Sequence, residues 1–240
     1  LIPEHAGLGS GTQLALAVGT ALSRLYNINA GTLDIATALD RGARSGIGIA
    51  TFNQGGFIVD GGLGPSSATP PLLARYTYPE EWRIVLIMES HSQGIHGTEE
   101  SKAFKSLPPF PISQSRAICH LTLMKLLPAL VEQDINVFGQ SVTDIQHLIG
   151  DHFSTIQGGR YTSNSVATLL NYANELGHLG IAQTSWGPTG CVFVNNEAAG
   201  TLLIGKLNDY IEQYFKLETD YSILMTNANS SGSIVERGVG

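Results

Sequence analysis

"PEHAGLGSGTQLALAVGTAL", Pro3 to Leu22, joins a glycine-rich loop directly to an amphipathic helix. In "GLGSGT" (Gly7 to Thr12) the glycines let backbone N–H groups close on a phosphate, and the helix N-terminus behind them adds partial positive charge. Ser10 and Thr12 offer hydroxyls to a phosphate oxygen or to Mg2+. No Lys follows, so the loop is not of the Walker type. Gly7, Gly9, Ser10, Gly11 and Thr12 form the candidate phosphate-binding set, with Ser10 and Thr12 as candidate metal ligands. The structural alternative is a tight turn of small residues that serves packing alone. Such a loop ordinarily follows an anchoring strand, but only Leu1 and Ile2 precede it here, so a first subdomain incomplete at its N-terminus is expected.

Leu14, Val18, Ala21, Leu22 and Leu25 recur at helical spacing and predict a helix over 11–26 with those residues on its apolar stripe. Thr32 caps a second helix that buries Ile35, Ala36 and Leu39 and ends near Gly42. "SGIGIATFNQGGFIVDGG" then reads as a hairpin of Ile47–Phe52 with Phe57–Asp60, and the proline-rich stretch from Leu63 to Tyr78 as a loop. Trp82 to Met88 is an apolar run of strand length. Beyond a boundary near Ser90 helices dominate: 113–134, kinked or ended at Pro128, and 136–150, with Phe138, Val142, Ile145 and Ile149 as its stripe. A third helix buries Val166, Leu169, Leu170, Ala173 and Leu176, and a fourth spans 198–215 with Leu203, Leu207, Tyr210, Ile211 and Tyr214 on its packed face. Strands are expected at 181–184, at "CVFV" and at "YSILMT" (Tyr221 to Thr226). The fold class is α+β, divided into 1–90, 91–228 and a mobile Ser/Gly-rich tail over 229–240.

The 240 residues are 42% hydrophobic and carry a formal net charge of -7. An acidic chain without a cluster of Lys and Arg lacks the basic stripe that nucleic acid or a membrane surface demands. No apolar run approaches the ~20 residues of a membrane span, and no signal segment opens the chain, so a cytoplasmic protein is expected. Cys119 and Cys191 read as two thiols in a reducing compartment rather than a disulfide.

Three further motifs carry candidate chemistry. "QTSWGPTG" (Gln183 to Gly190) is a polar glycine-rich turn between apolar strands, with Ser185, Trp186, Gly187, Thr189 and Gly190 as candidates; a plain hairpin loop is the alternative. Arg41 and Arg44, three apart, share a face if the second helix persists that far, and their forks suit carboxylate or phosphate; an ordinary basic helix end is the alternative. In "HSQGIHGTEESKAF", His91, His96, Glu99 and Glu100 offer proton transfer or metal ligation, although their spacing matches no zinc pattern. The two glutamates also suit the first turn of a helix. The candidate catalytic set is Arg41, Arg44, His96 and Glu99.

Pro3 with "GLGSGT" and the late "TSWGPTG" resemble the GHMP superfamily of small-molecule kinases over nearly the whole chain. That resemblance implies a two-subdomain α+β fold in which the first loop holds phosphates and the late loop closes the site. In those kinases a segment like "SGxD" supplies a catalytic Asp; here Ser45, Gly46 and Ile47 are followed by Gly48. Asp60 is a candidate substitute, though "VDGG" reads first as a hairpin turn.

"GLGSGTQLALAVG", "RGARSGIGIATFNQGGFIVDGG", "GIHGTEESKAF" and "QTSWGPTG", in that order, resemble more narrowly the β-ribofuranosylaminobenzene 5′-phosphate synthase family, GHMP relatives that are not kinases. The resemblance implies condensation of phosphoribosyl pyrophosphate with 4-aminobenzoate or 4-hydroxybenzoate, releasing CO2 and pyrophosphate, in methanopterin biosynthesis. It further implies Mg2+, a homodimer and a cytosolic location. Gly7, Gly9 and Gly11 with Ser10 and Thr12 are then expected to bind pyrophosphate and Mg2+. Arg41 or Arg44 is expected to hold the benzoate carboxylate or the 5′-phosphate, with Ser185, Gly187 and Thr189 closing the other side. The rivals are an ATP-dependent GHMP small-molecule kinase and a noncatalytic binding module.

Overall fold

The computed structural model describes residues 2–4, 6–89, 106–185, 187–215 and 220–236. Contacts divide the chain into two units. One comprises Gly9–Tyr78 with the C-terminal stretch from Ala228, the other Pro3–Leu8 with Pro79–Asn227. The strand expected at 82–88 precedes the expected boundary near Ser90, yet it belongs to the C-terminal unit because it pairs with strands there.

In the N-terminal unit, α1 (Ser10–Leu25), α2 (Thr32–Ala38) and α3 (Ile47–Gln54) pack through Leu16, Ile35, Ala36, Ile49 and Phe52. The expected α1 stripe is corrected. Leu16 is the buried residue, whereas Leu14, Val18, Leu22 and Leu25 are exposed. Gly19 lies on the packed face, where a Cβ would stand 2.3 Å from Ile35 Cγ2, so its missing side chain lets α2 come close. The second helix stops at Ala38 rather than Gly42, leaving Leu39 exposed.

The expected hairpin is also corrected: residues 47–54 form α3, and β1 (Phe57–Asp60) pairs antiparallel with β2 (Leu72–Tyr76), inside the stretch read as a loop. Tertiary context overrides the β-branched residues. Ile49 and Phe52, three apart, complete the core facing Leu16, and the Asp60 carboxylate accepts from the Gly46 N–H at the helix start. The tail is docked where it is described: Gly56 N–H donates to Asn229 O, Arg75 Nη2 to Ser230 O and Ser233 N–H to Phe52 O.

The C-terminal unit holds an antiparallel sheet of β3 (Arg83–Glu89), β4 (Gly180–Gln183), β5 (Gly190–Val194) and β6 (Tyr221–Thr226), in the order β4-β5-β3-β6. Its helices are α4 (Ile112–Leu121), α5 (Leu127–Glu132), α6 (Ile135–Gln157), α7 (Asn164–Glu175) and α8 (Glu197–Tyr214). A π turn over Thr122–Leu126 separates α4 from α5. Pro128, which has no N–H to give, falls in the first turn of α5 beside this π turn, and α5 continues to Glu132.

One sheet face meets α7 and α8 through Val85, Ile87, Val192, Val194, Leu169, Leu170, Leu203 and Leu207. Leu176 and Tyr214, expected in that core, are exposed at the helix ends. On α6, Phe138 sits between Trp82 and Phe193, with ring centroids 5.0 and 5.5 Å away. This helix continues past Gly150 to Gln157 and stops only at Gly158, where φ is 83°.

Thr143 and Gln146 on α6 face β4. Thr143 Oγ1 accepts from Ile181 N–H at 2.9 Å and donates to Leu179 O, and Gln146 Oε1 accepts from Gln183 N–H at 3.1 Å. The free edge of β4 is therefore answered by helix side chains instead of another strand. Among the described residues no helix is long and apolar enough to cross a membrane.

Candidate active site

The loop at the start of α1 has the backbone its sequence demands. Gly9 sits in the left-handed region at φ 73° as N-cap, and without a side chain it leaves the first N–H groups of the helix uncapped. The ladder begins with Gln13 N–H to Gly9 O at 3.1 Å, so the N–H groups of Ser10, Gly11 and Thr12 point out of the helix end. Neither the Ser10 nor the Thr12 hydroxyl is used in a hydrogen bond among the described residues.

Gly48 occupies the first turn of α3 directly beside this loop. A Cβ there would lie 3.0 Å from Thr12 Cγ2 and 3.8 Å from Thr12 Oγ1, and Gln13 Nε2 donates to Gly48 O at 2.8 Å. The position that the kinase resemblance matches to an Asp thus abuts the glycine-rich loop, with no side chain on it. Asp60 does not replace that Asp. One carboxylate oxygen accepts from Gly46 N–H at 2.9 Å and from Ser45 Oγ at 3.1 Å, and the other from Gly62 N–H at 3.1 Å. It is a helix cap and turn former, so its lone pairs are committed.

The beginning of the loop meets the second glycine-rich segment within the C-terminal unit. Thr184 Oγ1 donates to Ala6 O at 3.1 Å, and Gly7 and Gly187 lie back to back. A Cβ on Gly7 would stand 2.3 Å from Thr184 Oγ1, and one on Gly187 would stand 2.5 Å from both Ala6 O and Gly7 Cα. With φ at 72°, Gly7 also needs glycine for its backbone. Thr189 is fully buried, its carbonyl accepts from Thr184 N–H, and its hydroxyl has no partner among the described residues. Gly190 opens β5, where any Cβ would strike Val166 and Leu170, so it serves packing. Ser185 is exposed.

The other candidates divide. α2 ends before Arg41, so Arg41 and Arg44 sit in the exposed loop 39–46 and do not share a helical face. His91, His96, Glu99, Glu100 and Trp186 lie outside the described residues. Both cysteines are free; burial pushes the Cys191 thiol up to about 12, which keeps it protonated and inert. No cluster of three metal-ligating side chains occurs among the described residues.

Sequence reasoning missed two features. Glu89, at the end of β3, accepts from the hydroxyls of Ser163 and Ser165 at 2.8 and 3.1 Å. The other is a cavity of about 380 Å3 in the C-terminal unit, lined by Gln146, Ile149, Gly150, Phe153, Gln157, Gln183 and Ser185. Its α6 residues repeat at helical spacing, but read alone they resemble any half-polar helix face.

Fold and site place the molecule in a known class. The GHMP kinases N terminal domain matches residues 1–61, and the GHMP kinases C terminal domain matches residues 126–213. Homoserine kinase from Cytophaga hutchinsonii superposes with a TM-score of 0.70 at 17% identity, over 96% of this chain and 69% of that one. L. major mevalonate kinase does so with a TM-score of 0.64 at 13% identity, over 96% of this chain and 69% of that one. These likenesses show a GHMP kinase fold.

Among sequence relatives, the β-ribofuranosylphenol 5′-phosphate synthase of Methanocaldococcus jannaschii is 34% identical over 248 residues, covering 97% of this chain and 71% of its own length. The protein of that name from Archaeoglobus fulgidus is 37% identical over 245 residues, covering 97% and 73%. The chain belongs to the β-ribofuranosylphenol 5′-phosphate synthase family.

Proposed function

We propose that this protein is a synthase that joins phosphoribosyl pyrophosphate to 4-hydroxybenzoate, with release of CO2 and pyrophosphate. The observation that carries this reading is Gly48 against Thr12: a phosphate-binding helix start whose neighbouring catalytic position holds no carboxylate, while Asp60 is committed to capping. Phosphoryl transfer to an alcohol calls for a group that orients or deprotonates the nucleophile. Attack by an electron-rich ring carbon does not. The relatives' shared name, a phenol riboside phosphate, supports 4-hydroxybenzoate over 4-aminobenzoate as acceptor.

In the proposed reaction the ring carbon bearing the carboxylate bonds to C1′ of the ribose, and the C1′–O pair leaves with pyrophosphate. The ring–carboxylate bond then breaks, and its electron pair restores the aromatic ring as CO2 departs. Atoms and charge balance without an external base. The chain's task is to hold the leaving group, orient the ring and exclude water. The N–H groups of Ser10, Gly11 and Thr12 bind the pyrophosphate, and Gly7 and Gly187 bring the second loop against the start of the first.

The free hydroxyls of Ser10 and Thr12 are hard oxygen donors suited to Mg2+, an ion that takes few protein ligands and keeps phosphate and water oxygens for the rest. When bound, Mg2+ supplies charge neutralisation for the departing pyrophosphate. Arg44 or Arg41, in the loop before α3, is assigned to the 5′-phosphate. The same reading carries a cytoplasmic homodimer acting in methanopterin biosynthesis.

The test is release of labelled CO2 from carboxyl-labelled 4-hydroxybenzoate. The expected result is release that requires both phosphoribosyl pyrophosphate and Mg2+, with 4-aminobenzoate the poorer substrate. ADP formation from ATP with an alcohol acceptor, and no CO2, would establish the kinase instead.

A further inference from the structure

We propose that the cavity beneath α6 is the acceptor pocket, taking a single-ring para-substituted benzoate. This assignment rests on the synthase reading. The walls are laid out by α6, whose residues 146, 149, 150, 153 and 157 fall on one stripe, and by Gln183 and Ser185 at the end of β4. At about 380 Å3 the space exceeds the ~150 Å3 that suffices for a benzene ring. Ile149 and Phe153, four apart, supply apolar surface for a ring face.

The polar walls are uncharged and tied by hydrogen bonds. Gln183 Oε1 accepts from Thr162 N–H at 2.8 Å, and its Nε2 donates to Ser185 O at 3.2 Å and Gln157 Oε1 at 3.3 Å. Gln157 Nε2 donates to Arg160 O at 2.9 Å. These backbone partners fix which end of each amide is oxygen. Gln146 differs: its Oε1 is taken by Gln183 N–H, and its Nε2 has no partner among the described residues. The Ser185 hydroxyl likewise has no partner among the described residues, so these two donors are the ones assigned to a ligand.

None of the seven lining residues is charged. Arg160, whose stem passes Gly150, is held by both oxygens of Asp151 at 2.7 and 3.0 Å. A di- or triphosphate would find no cation in these walls, whereas a flat ring with one anionic end needs only the two donors. Ser185 begins the loop that lies on Ala6 and Gly7, so the carboxylate end is placed toward Gln146 Nε2 and Ser185 Oγ. A carboxylate held by an amide and a hydroxyl is less stabilised than one paired with a guanidinium, which favours its loss as neutral CO2.

Two variants test the assignment. Gln146→Glu keeps the acceptor toward Gln183 N–H and replaces the free donor by a carboxylate oxygen; Ile149→Trp fills the space. Each is expected to raise the KM for 4-hydroxybenzoate by about tenfold or more and leave that for phosphoribosyl pyrophosphate within about twofold. Gln146→Glu is further expected to spare binding of phenol, which has no carboxylate. Binding of 4-hydroxybenzoate is followed independently by saturation-transfer NMR on the wild type and both variants, with folding checked by circular dichroism.

Unchanged acceptor KM in both folded variants, with CO2 still released, overturns the pocket and leaves the synthase standing. Absence of CO2 release by the wild type overturns the synthase reading. The pocket is then judged by NMR alone: it is supported if the wild type binds 4-hydroxybenzoate and Ile149→Trp does not, and overturned by any other pattern.

Discussion

Individual residues carry more constraint here than the composition suggests. Gly7 combines a positive φ with a backbone-to-backbone approach, so Gly7→Ala must both strain its own conformation and push away Thr184 and Gly187. A residue forced into that region costs about 1–3 kcal/mol. The expected outcome is a lowered melting temperature together with weaker phosphoribosyl pyrophosphate binding, measured by thermal unfolding and calorimetric titration. Ser10→Ala with Thr12→Ala is the contrasting case. Those hydroxyls have no partner among the described residues, so the double variant is expected to unfold within a degree or two of wild type while its pyrophosphate-dependent affinity drops by about tenfold or more. A parallel fall in stability with unchanged affinity per folded molecule would return the loop to a packing role. "GLGSGT" was legible as a tight loop entering a helix because that conformation is set by consecutive residues. Asp60 was not, because its partners, Ser45 and Gly46, lie 15 and 14 positions away.

At the scale of elements, α3 shows how tertiary contacts decide a short segment. "IGIATF" has the β-branched content of a strand, yet the Asp60 cap and the core positions of Ile49 and Phe52 make it helical. Asp60→Ala is therefore expected to destabilise the protein by about 1 kcal/mol, the usual worth of a helix cap, and denaturant titration measures it. Because Asp60 is committed to capping, any loss of turnover should track the loss of folded protein. α6 and the turn after α7 carry a pH response. Burial lowers the pKa of His147 from 6.5, with Arg160 adding to the effect, and burial likewise lowers that of His178. The unfolded chain then binds more protons below 6.5, so folded stability is full above that pH and declines as pH falls beneath it. His147→Gln with His178→Gln is expected to flatten the decline between pH 6.5 and 5 in urea titrations; an unchanged slope would remove these histidines from the acid response.

The whole molecule joins a kinase fold to a site without the kinase carboxylate. Its topology keeps a helix start without a side-chain cap in one unit and a sheet with an amide-lined cavity in the other. Gly48→Asp is expected to yield no ATP-dependent kinase, because a new side chain meets Thr12 at 3.0 Å and crowds the loop it would need to serve. ADP release in the presence of candidate alcohols checks this. The sequence by itself determined the family, the α+β class, the glycine-rich loop ahead of α1 and most strands of the C-terminal sheet. These rest on short-range signals: glycines at positive φ, apolar runs and helical spacing. Only the tertiary structure decided which face of α1 is buried, that residues 47–54 are helical, that Asp60 is a cap, and that Gln146, Gln157 and Gln183 surround a cavity. Each of those depends on groups brought together from distant positions, as when Gln146 answers the backbone of Gln183 across 37 residues of chain. Hydrogen bonds and packing between such groups leave no periodic trace in the sequence, so they become visible only once the chain is folded.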